Sequence, residues 1–226
     1  MKRVELNIKY LLIFSTSFLS ALLFMLRKHW ESYLIMLKQT CWYDICVIQV
    51  HNAFWEELAK LIIIGISCCI FRINSQSNRK KRIISLGYGI GLSYGMGEAF
   101  LLIFLMLYPV YSHYFGLNTF GTILTKSFIY ERFWAIQTHA IMGGVIGIGV
   151  YRYLFHRKRK DILIFFLVAM LYHISIDGSI VFIYYYPELM KHYPPPLLFM
   201  PLLTLIGYGI LYIIGKRSLE VYKATA

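Results

Sequence analysis

The sequence is poor in acidic residues, and its four cysteines form no metal-binding pattern. Only 11 of the 226 residues are Asp or Glu, against 23 Lys and Arg, which gives a formal charge of +12. Because no Cys-x-x-Cys pair is present, a thiolate zinc site is not expected. Cys68 and Cys69 fall inside an apolar run, where packing is their default role. Cys41 and Cys46 could form a disulfide only if their loop lies outside the cell.

Apolar residues dominate the chain. They make up 58% of the sequence, and the mean hydropathy is +0.59, which is too apolar for a soluble globule and typical of a polytopic membrane protein. The basic residues are not spread over a face, as in nucleic-acid-binding proteins, but cluster in short loops between apolar runs. We therefore expect contact with the lipid bilayer and no nucleic-acid partner.

Six apolar runs have about the length that a bilayer core requires, roughly 20 residues. The predicted spans are residues 8–26, 47–71, 84–110, 127–151, 162–185 and 198–215. The predicted fold is all-α: a polytopic integral membrane helical bundle of about six transmembrane helices. It forms one domain over residues 1–226, with a motif-bearing core at about 47–185. Residues 30–48 fit either an interfacial helix or a long entry to the second span.

The basic loops predict the orientation. They lie between spans two and three, between spans four and five, and after span six, whereas the loops at 111–126 and 186–197 carry little positive charge. The basic residues are Arg72, Arg79, Lys80, Lys81 and Arg82, then Arg152, Arg157, Lys158, Arg159 and Lys160, and finally Lys216 and Arg217. By the positive-inside rule we expect a multi-pass protein of the cell membrane with both termini cytoplasmic.

The predicted second span contains adjacent carboxylates, Glu56 and Glu57, with Lys60 one turn later. Carboxylates in hydrocarbon are costly unless they face a polar cavity and meet partners. A structural salt bridge to Lys60 is one interpretation, since its spacing from both carboxylates suits a helix face. However, a single lysine can pair with only one carboxylate, and the unpaired carboxylate suits a general base.

Three further spans carry ionisable residues near their middles: Glu98, His139, and His173 with Asp177. At a rise of about 1.5 Å per residue, these groups and the Glu56–Glu57 pair lie at similar depths, about 17–22 Å from the cytoplasmic ends. His173 and Asp177 are spaced i,i+4, so the carboxylate can orient the imidazole. His139 alone also fits a hydrogen-bonded core histidine. Their common depth favours one buried reaction centre.

These motifs resemble those of known membrane peptidases. Residues 56–60 (EELAK) resemble the E-E-x-x-K signature of PrsW-type intramembrane proteases. Residues 89–98 (GIGLSYGMGE), 131–140 (ERFWAIQTHA) and 171–177 (LYHISID) are closer to the related YhfC group. Both groups belong to the superfamily that includes the type II CAAX prenyl proteases and the bacterial Abi proteins. The resemblance covers roughly residues 53–180.

The resemblance implies a helical bundle in which paired glutamates activate water with the help of later histidines. Carried over, Glu56 and Glu57 match the glutamate pair, Glu98 matches the next acidic residue, and His139 and His173 match the two histidines. Asp177 stands where many CAAX-type members have Asn, which fits better if it supports His173 than if it stabilises an oxyanion.

We therefore expect an intramembrane endopeptidase that hydrolyses membrane-embedded or membrane-proximal peptides. Its predicted catalytic residues are Glu56, Glu57, Glu98, His139 and His173, with Lys60 and Asp177 in support. A metal-assisted variant is open, with a divalent ion such as zinc bound by Glu98, His139 and His173. The alternative is a noncatalytic membrane scaffold or immunity protein. A haem-binding or ion-coupled membrane protein is less favoured, because carboxylates surround the histidines and no inverted repeat is present.

Overall fold

The protein is described here by a computed structural model, which covers residues 2–38, 40–70, 79–108, 110, 126–157, 159–186, 188 and 196–223. The described chain is helical, without strands, and the all-α prediction is confirmed. Its helices are α1 (Lys2–Leu37), the one-turn α2 (Cys41–Tyr43), α3 (Val50–Ile70), α4 (Arg79–Leu107), α5 (Lys126–His156), α6 (Arg159–Tyr185) and α7 (Pro196–Lys223).

The segment 30–48, which the sequence left ambiguous, is described except for residue 39, and its described residues belong to a helical hairpin. Helix α1 continues to Leu37, well beyond the predicted span end at residue 26. After the turn, the Thr40 hydroxyl caps α2, and a π-helix at Asp44–Gln49 leads directly into α3. Cys41 and Cys46 are free thiols.

Helix α5 forms the centre of the bundle. All its residues from 138 to 151 are buried, and it packs against α3, α4, α6 and α7. Glycines allow the tightest contact, with α4: a Cβ atom on Gly87 would clash with the carbonyl of Gly143, and one on Gly91 with the carbonyl of His139. Small residues at such positions let helix backbones approach closely, as the sequence predicts.

The main apolar core fills one end of this bundle. It joins side chains from α3, α4, α5 and α6, among them Ile64, Ile83, Leu86, Ile146 and Phe165. A smaller cluster around Phe24 and Leu105 attaches α1 to α4. These contacts hold the helices that carry the predicted site residues in one compact unit.

Within the described part of the chain, four helices are long and apolar enough to cross a membrane: Lys81–Leu107, Phe128–His156, Arg159–Ile183 and Leu198–Lys216. They correspond to the predicted spans three to six. The first two predicted spans fall on α1 and α3, which do not meet that criterion over the residues described. Helix α3 carries Glu56, Glu57 and Lys60 within five positions, so its polarity is concentrated in a single short stretch.

Candidate active site

The predicted site residues meet in one buried cluster. Glu56, Glu57 and Lys60 come from α3, and α4, α5 and α6 contribute the remaining members. Glu57 and Lys60 have no solvent exposure at all, and both histidines are at most 5% exposed. The members from the other three helices are Glu98, His139, His173 and Asp177.

Glu57 is the anchor of the cluster. Its Oε1 atom lies 2.6 Å from Lys60 Nζ and 2.7 Å from His173 Nδ1. One carboxylate oxygen thus ties α6 to α3 and also contacts the lysine one turn further along. Such charge-assisted hydrogen bonds are the strong ones in a protein interior.

Lys60 also contacts His139, which gives that imidazole a defined orientation. Lys60 Nζ lies 2.9 Å from His139 Nδ1, and an ammonium can only donate, so Nδ1 accepts this bond. The proton of neutral His139 then sits on Nε2, which lies 3.0 Å from Glu98 Oε2. Tyr94 packs against both partners, with its ring 5.6 Å from the imidazole and 4.8 Å from Nζ.

Glu56 is held from a direction that the sequence did not indicate. Its Oε1 accepts from Nη1 of Arg27 in α1, and both residues are buried. Its other oxygen, Oε2, has no hydrogen-bond partner among the described residues. This oxygen lies 3.7 Å from His173 Nε2 and 3.9 Å from His139 Nδ1. Glu56 therefore presents one open carboxylate oxygen to both histidines.

Asp177 lies beside His173, where the i,i+4 spacing puts it. Its Oδ2 is 3.2 Å from His173 Nε2, while the other ring nitrogen contacts Glu57. Both ring nitrogens of His173 thus contact carboxylates. The ring centroid of His173 lies 5.4 Å from that of His139. Every ring nitrogen of the two histidines already has a neighbour. Neither histidine is therefore free to bind a haem iron as an axial ligand.

A small polar cavity opens beside these groups. It has a volume of about 30 Å³ and is lined by Glu98, His139, His173, Asp177 and Arg132, together with apolar residues such as Met200. This is room for about two water molecules, at roughly 10–15 Å³ each. The cluster is therefore next to a space that suits a reacting water.

Arg132 and Glu131 also lie at this cavity. Arg132 Nε donates to Glu131 Oε2 at 2.7 Å, and its Nη1 lies 3.5 Å from Glu98 Oε1. Arg132 therefore shares its charge between Glu131 and Glu98, and it also lines the cavity.

Charge balance distinguishes this site from a usual metal centre. Three of the carboxylates in the cluster have a cation: Arg27 for Glu56, Lys60 for Glu57 and, for Glu98, Arg132, which also pairs with Glu131. Asp177 pairs with His173. A metal ion would therefore compete with cations that already contact three of these carboxylates.

The atoms that could hold a divalent ion belong to a different set from the predicted one. Glu56, Glu98 and His139 offer ligand atoms within 4.8 Å of one another, whereas His173 is not in this group. Each of the three donors already contacts a cation, namely Arg27, Arg132 or Lys60. Since these cations would repel a metal ion, the donor set does not fit a divalent metal well.

Arg27 is the site residue that sequence reasoning missed. It follows an apolar run directly, where a basic residue is expected to lie in solvent, and nothing in its spacing connects it with Glu56. The ion pair of Arg27 with Glu56 is seen only in the packing of α1 against α3.

Comparisons of the chain with protein-family profiles, curated proteins and solved structures find no match. The resemblance to PrsW-type and YhfC-type peptidases therefore depends on the short motifs alone.

Proposed function

We propose that this protein is an intramembrane endopeptidase that uses a glutamate to activate water. In this proposal about six helices cross the cell membrane, with both termini cytoplasmic, and the substrate is a membrane-embedded or membrane-proximal peptide. The observation that carries it is the open Oε2 atom of Glu56, which faces His139 and His173. These two histidines, and not Glu56 itself, line the cavity of about 30 Å³.

Glu56 is the better of the two glutamates for the general base. Glu57 shares one oxygen between Lys60 and His173 and so fixes the geometry of the cluster. Each glutamate leaves its Oε2 without a hydrogen-bond partner among the described residues. Glu56 is held at its other oxygen by Arg27 alone, and its Oε2 lies 3.7 Å from His173 Nε2 and 3.9 Å from His139 Nδ1, so it is the better placed to accept a proton. A positioned base of this kind typically contributes about 10²–10⁴ to a rate.

The hydrolysis follows from these positions. Glu56 takes a proton from water as the water oxygen bonds to the scissile carbonyl carbon. The developing oxyanion accepts a hydrogen bond from Nε2–H of His173, which it shares with Asp177, while Nδ1 stays bound to Glu57. A donor to an oxyanion is worth about 3–4 kcal/mol. When the carbon–nitrogen bond breaks, Glu56 returns the proton to the leaving amine. Lys60, Glu98 and Asp177 position the histidines and do not react.

The arrangement of cations favours a reaction without a metal. Lys60 occupies one nitrogen of His139, and Arg27 occupies one oxygen of Glu56. We therefore expect cleavage to survive a chelator.

The test is cleavage of a library of membrane-anchored peptide reporters by purified protein, with and without chelator. Glu56→Gln and His173→Ala are expected to lose at least about 10²-fold in kcat, at equal abundance and with unchanged elution on gel filtration. Glu188→Gln is the matched control, because this carboxylate is exposed and follows the end of α6 at Tyr185. Its activity should equal that of wild type.

Loss of cleavage on chelation, restored by added zinc, would reject the metal-free mechanism. Equal activity of Glu56→Gln and wild type would reject the general base. If no reporter is cut, and a cellular phenotype of the wild type survives Glu56→Gln, a noncatalytic scaffold or immunity role replaces the enzyme.

A further inference from the structure

A second row of buried polar side chains runs between α1 and α3, away from the cavity at Arg132. It comprises Asn52 of α3 and Gln49, the last residue of the preceding π-helix, which lie on the same helix face as Glu56. On α1 it comprises Glu31, one turn beyond Arg27. We call the set Arg27, Glu31, Asp44, Gln49, Asn52 and Glu56 the polar file. Asn52 and Glu31 are each only 3% exposed.

The hairpin formed by α1 and α3 places these residues in register. The two helices run antiparallel, and Arg27 meets Glu56. Four residues onward in α1 is Glu31, and four residues back in α3 is Asn52, so both lie about 6 Å further toward the turn. The file thus continues as two facing rows.

The π-helix completes the file at the turn. Gln49 Nε2 donates to Asp44 Oδ1 at 3.1 Å, and Asn52 Nδ2 lies 3.4 Å from Gln49 Oε1. Asp44 also interacts electrostatically with Glu31 and Lys28. Burial decreases in this direction, since Glu56 and Asn52 are buried whereas Gln49 and Asp44 are partly exposed. From Asp44 to Glu56 the file is about 18 Å long.

Four atoms along this row lack a partner. They are buried, yet no hydrogen bond reaches them from any described residue: Arg27 Nε, Glu31 Oε2, Asn52 Oδ1 and Glu56 Oε2. An orphaned buried polar atom costs about 1–3 kcal/mol, and proteins usually satisfy such atoms with ordered water. Several in a row, on facing helices, would satisfy one another through a chain of waters.

We propose that the polar file is a water path that leads from the α1–α3 turn to Glu56. The cavity beside Arg132 and Asp177 lies on the other side of the cluster, among α4, α5, α6 and α7. A peptide that enters through that cavity blocks it, whereas each hydrolysis consumes one water. The file supplies this water, and exchanges protons, while substrate is bound. This use in hydrolysis rests on the proposed function, but the existence of the path does not.

The test is cysteine labelling of purified protein in lipid nanodiscs by a charged, membrane-impermeant thiol reagent. The background replaces the four native cysteines with alanine. Asn52→Cys is compared with Ala53→Cys, its neighbour, which is also buried but lies off the file. We expect Asn52→Cys to react at least about tenfold faster, because water reaches it without local unfolding. Equal rates would overturn the path.

A second pair on α1 gives an independent answer, also where Asn52→Cys does not fold. Glu31→Cys should react rapidly, whereas Ser20→Cys, buried on the same helix, should not. Equal rates in this pair again reject the path.

Activity separates the two proposals. Asn52→Leu is expected to lower kcat with little change in KM, while Thr204→Val, buried outside the file, changes neither. Rapid labelling of the file in a protein that cuts no peptide would retain the path and reject the peptidase. Slow labelling of the file in a protein that cleaves peptides would reject the water path and retain the peptidase.

Discussion

The two halves of helix α3 differ in what holds them. From Val50 to Lys60 the buried side chains are largely polar, and ion pairs join them to α1 and α6. From Leu61 to Ile70 they are mainly apolar, and Ile64 and Cys68 belong to the main core. We call these the ionic half and the apolar half.

The difference shows how a membrane protein can keep charge in its interior. The apolar half and the glycine contacts of α4 with α5 set the helix spacing without directional bonds. Gly91 brings α4 onto the backbone of His139, and this position is independent of any charge. The ionic half then requires specific partners, since removing one leaves another charge buried and unpaired.

The largest effect is expected from breaking the ionic half at its most buried cation. Lys60→Met leaves Glu57 without its lysine, and we expect a loss of about 3–5 kcal/mol in the free energy of unfolding. Denaturant titration in mixed micelles measures it. The double variant Glu57→Gln with Lys60→Met removes both charges and should recover much of the loss. If Lys60→Met alone is as stable as wild type, the ionic half does not require specific partners.

The glycine contact should be nearly as sensitive. In Gly91→Ala the new Cβ atom would clash with the His139 carbonyl, so α4 and α5 must separate, at a cost of about 1–3 kcal/mol. Gly65→Ala is the control, because its Cβ atom would have nothing within 4 Å. It should be neutral or stabilising, by up to about 1 kcal/mol. The same titration compares them, and equal destabilisation of both would contradict the packing argument.

Asp177→Asn tests a partner of His173 that lies outside the ionic half, on α6. The side chain of Asp177 is 35% exposed, so little stability should be lost. A charge-assisted hydrogen bond to His173 is worth about 1.5 kcal/mol, which corresponds to roughly tenfold in kcat. Peptide cleavage at saturating substrate measures this. Unchanged kcat would remove Asp177 from the positioning residues.

The smallest effect is expected in the apolar half. Ile64→Val removes one buried methyl group and should cost about 0.5–1.5 kcal/mol, with no change in kcat. Thermal unfolding and reporter cleavage check the two parts. A loss of activity larger than that of Asp177→Asn would mean that the two halves are not separable.

Several features followed from local patterns. Apolar run length predicted helices that correspond to α3–α7, and the glycines of α4 and α5 predicted close packing. The i,i+4 spacing of His173 and Asp177 predicted their contact, because such neighbours share one helix face. A common depth along four spans predicted that Glu57, Glu98 and the two histidines would meet.

Other features involve residues far apart in the sequence. The supposed surplus carboxylate has its own cation, Arg27 of α1, and Glu98 has Arg132. The sequence suggested a metal set that includes His173, whereas packing brings Glu56 to Glu98 and His139 instead. The rotation of each helix about its own axis decides which side chains meet. A small error in that predicted rotation changes the neighbours of every side chain on the helix.

The sequence by itself determined that these helices are apolar, where their glycines fall, and how far along its helix each ionisable group lies. These properties depend on rise per residue and on composition, which are local. Only the tertiary structure decided which cation meets which carboxylate and that one oxygen of Glu56 stays open. Those pairings depend on how separate helices rotate and pack, because hydrogen bonds act over about 3 Å, a distance that no spacing along a single helix specifies.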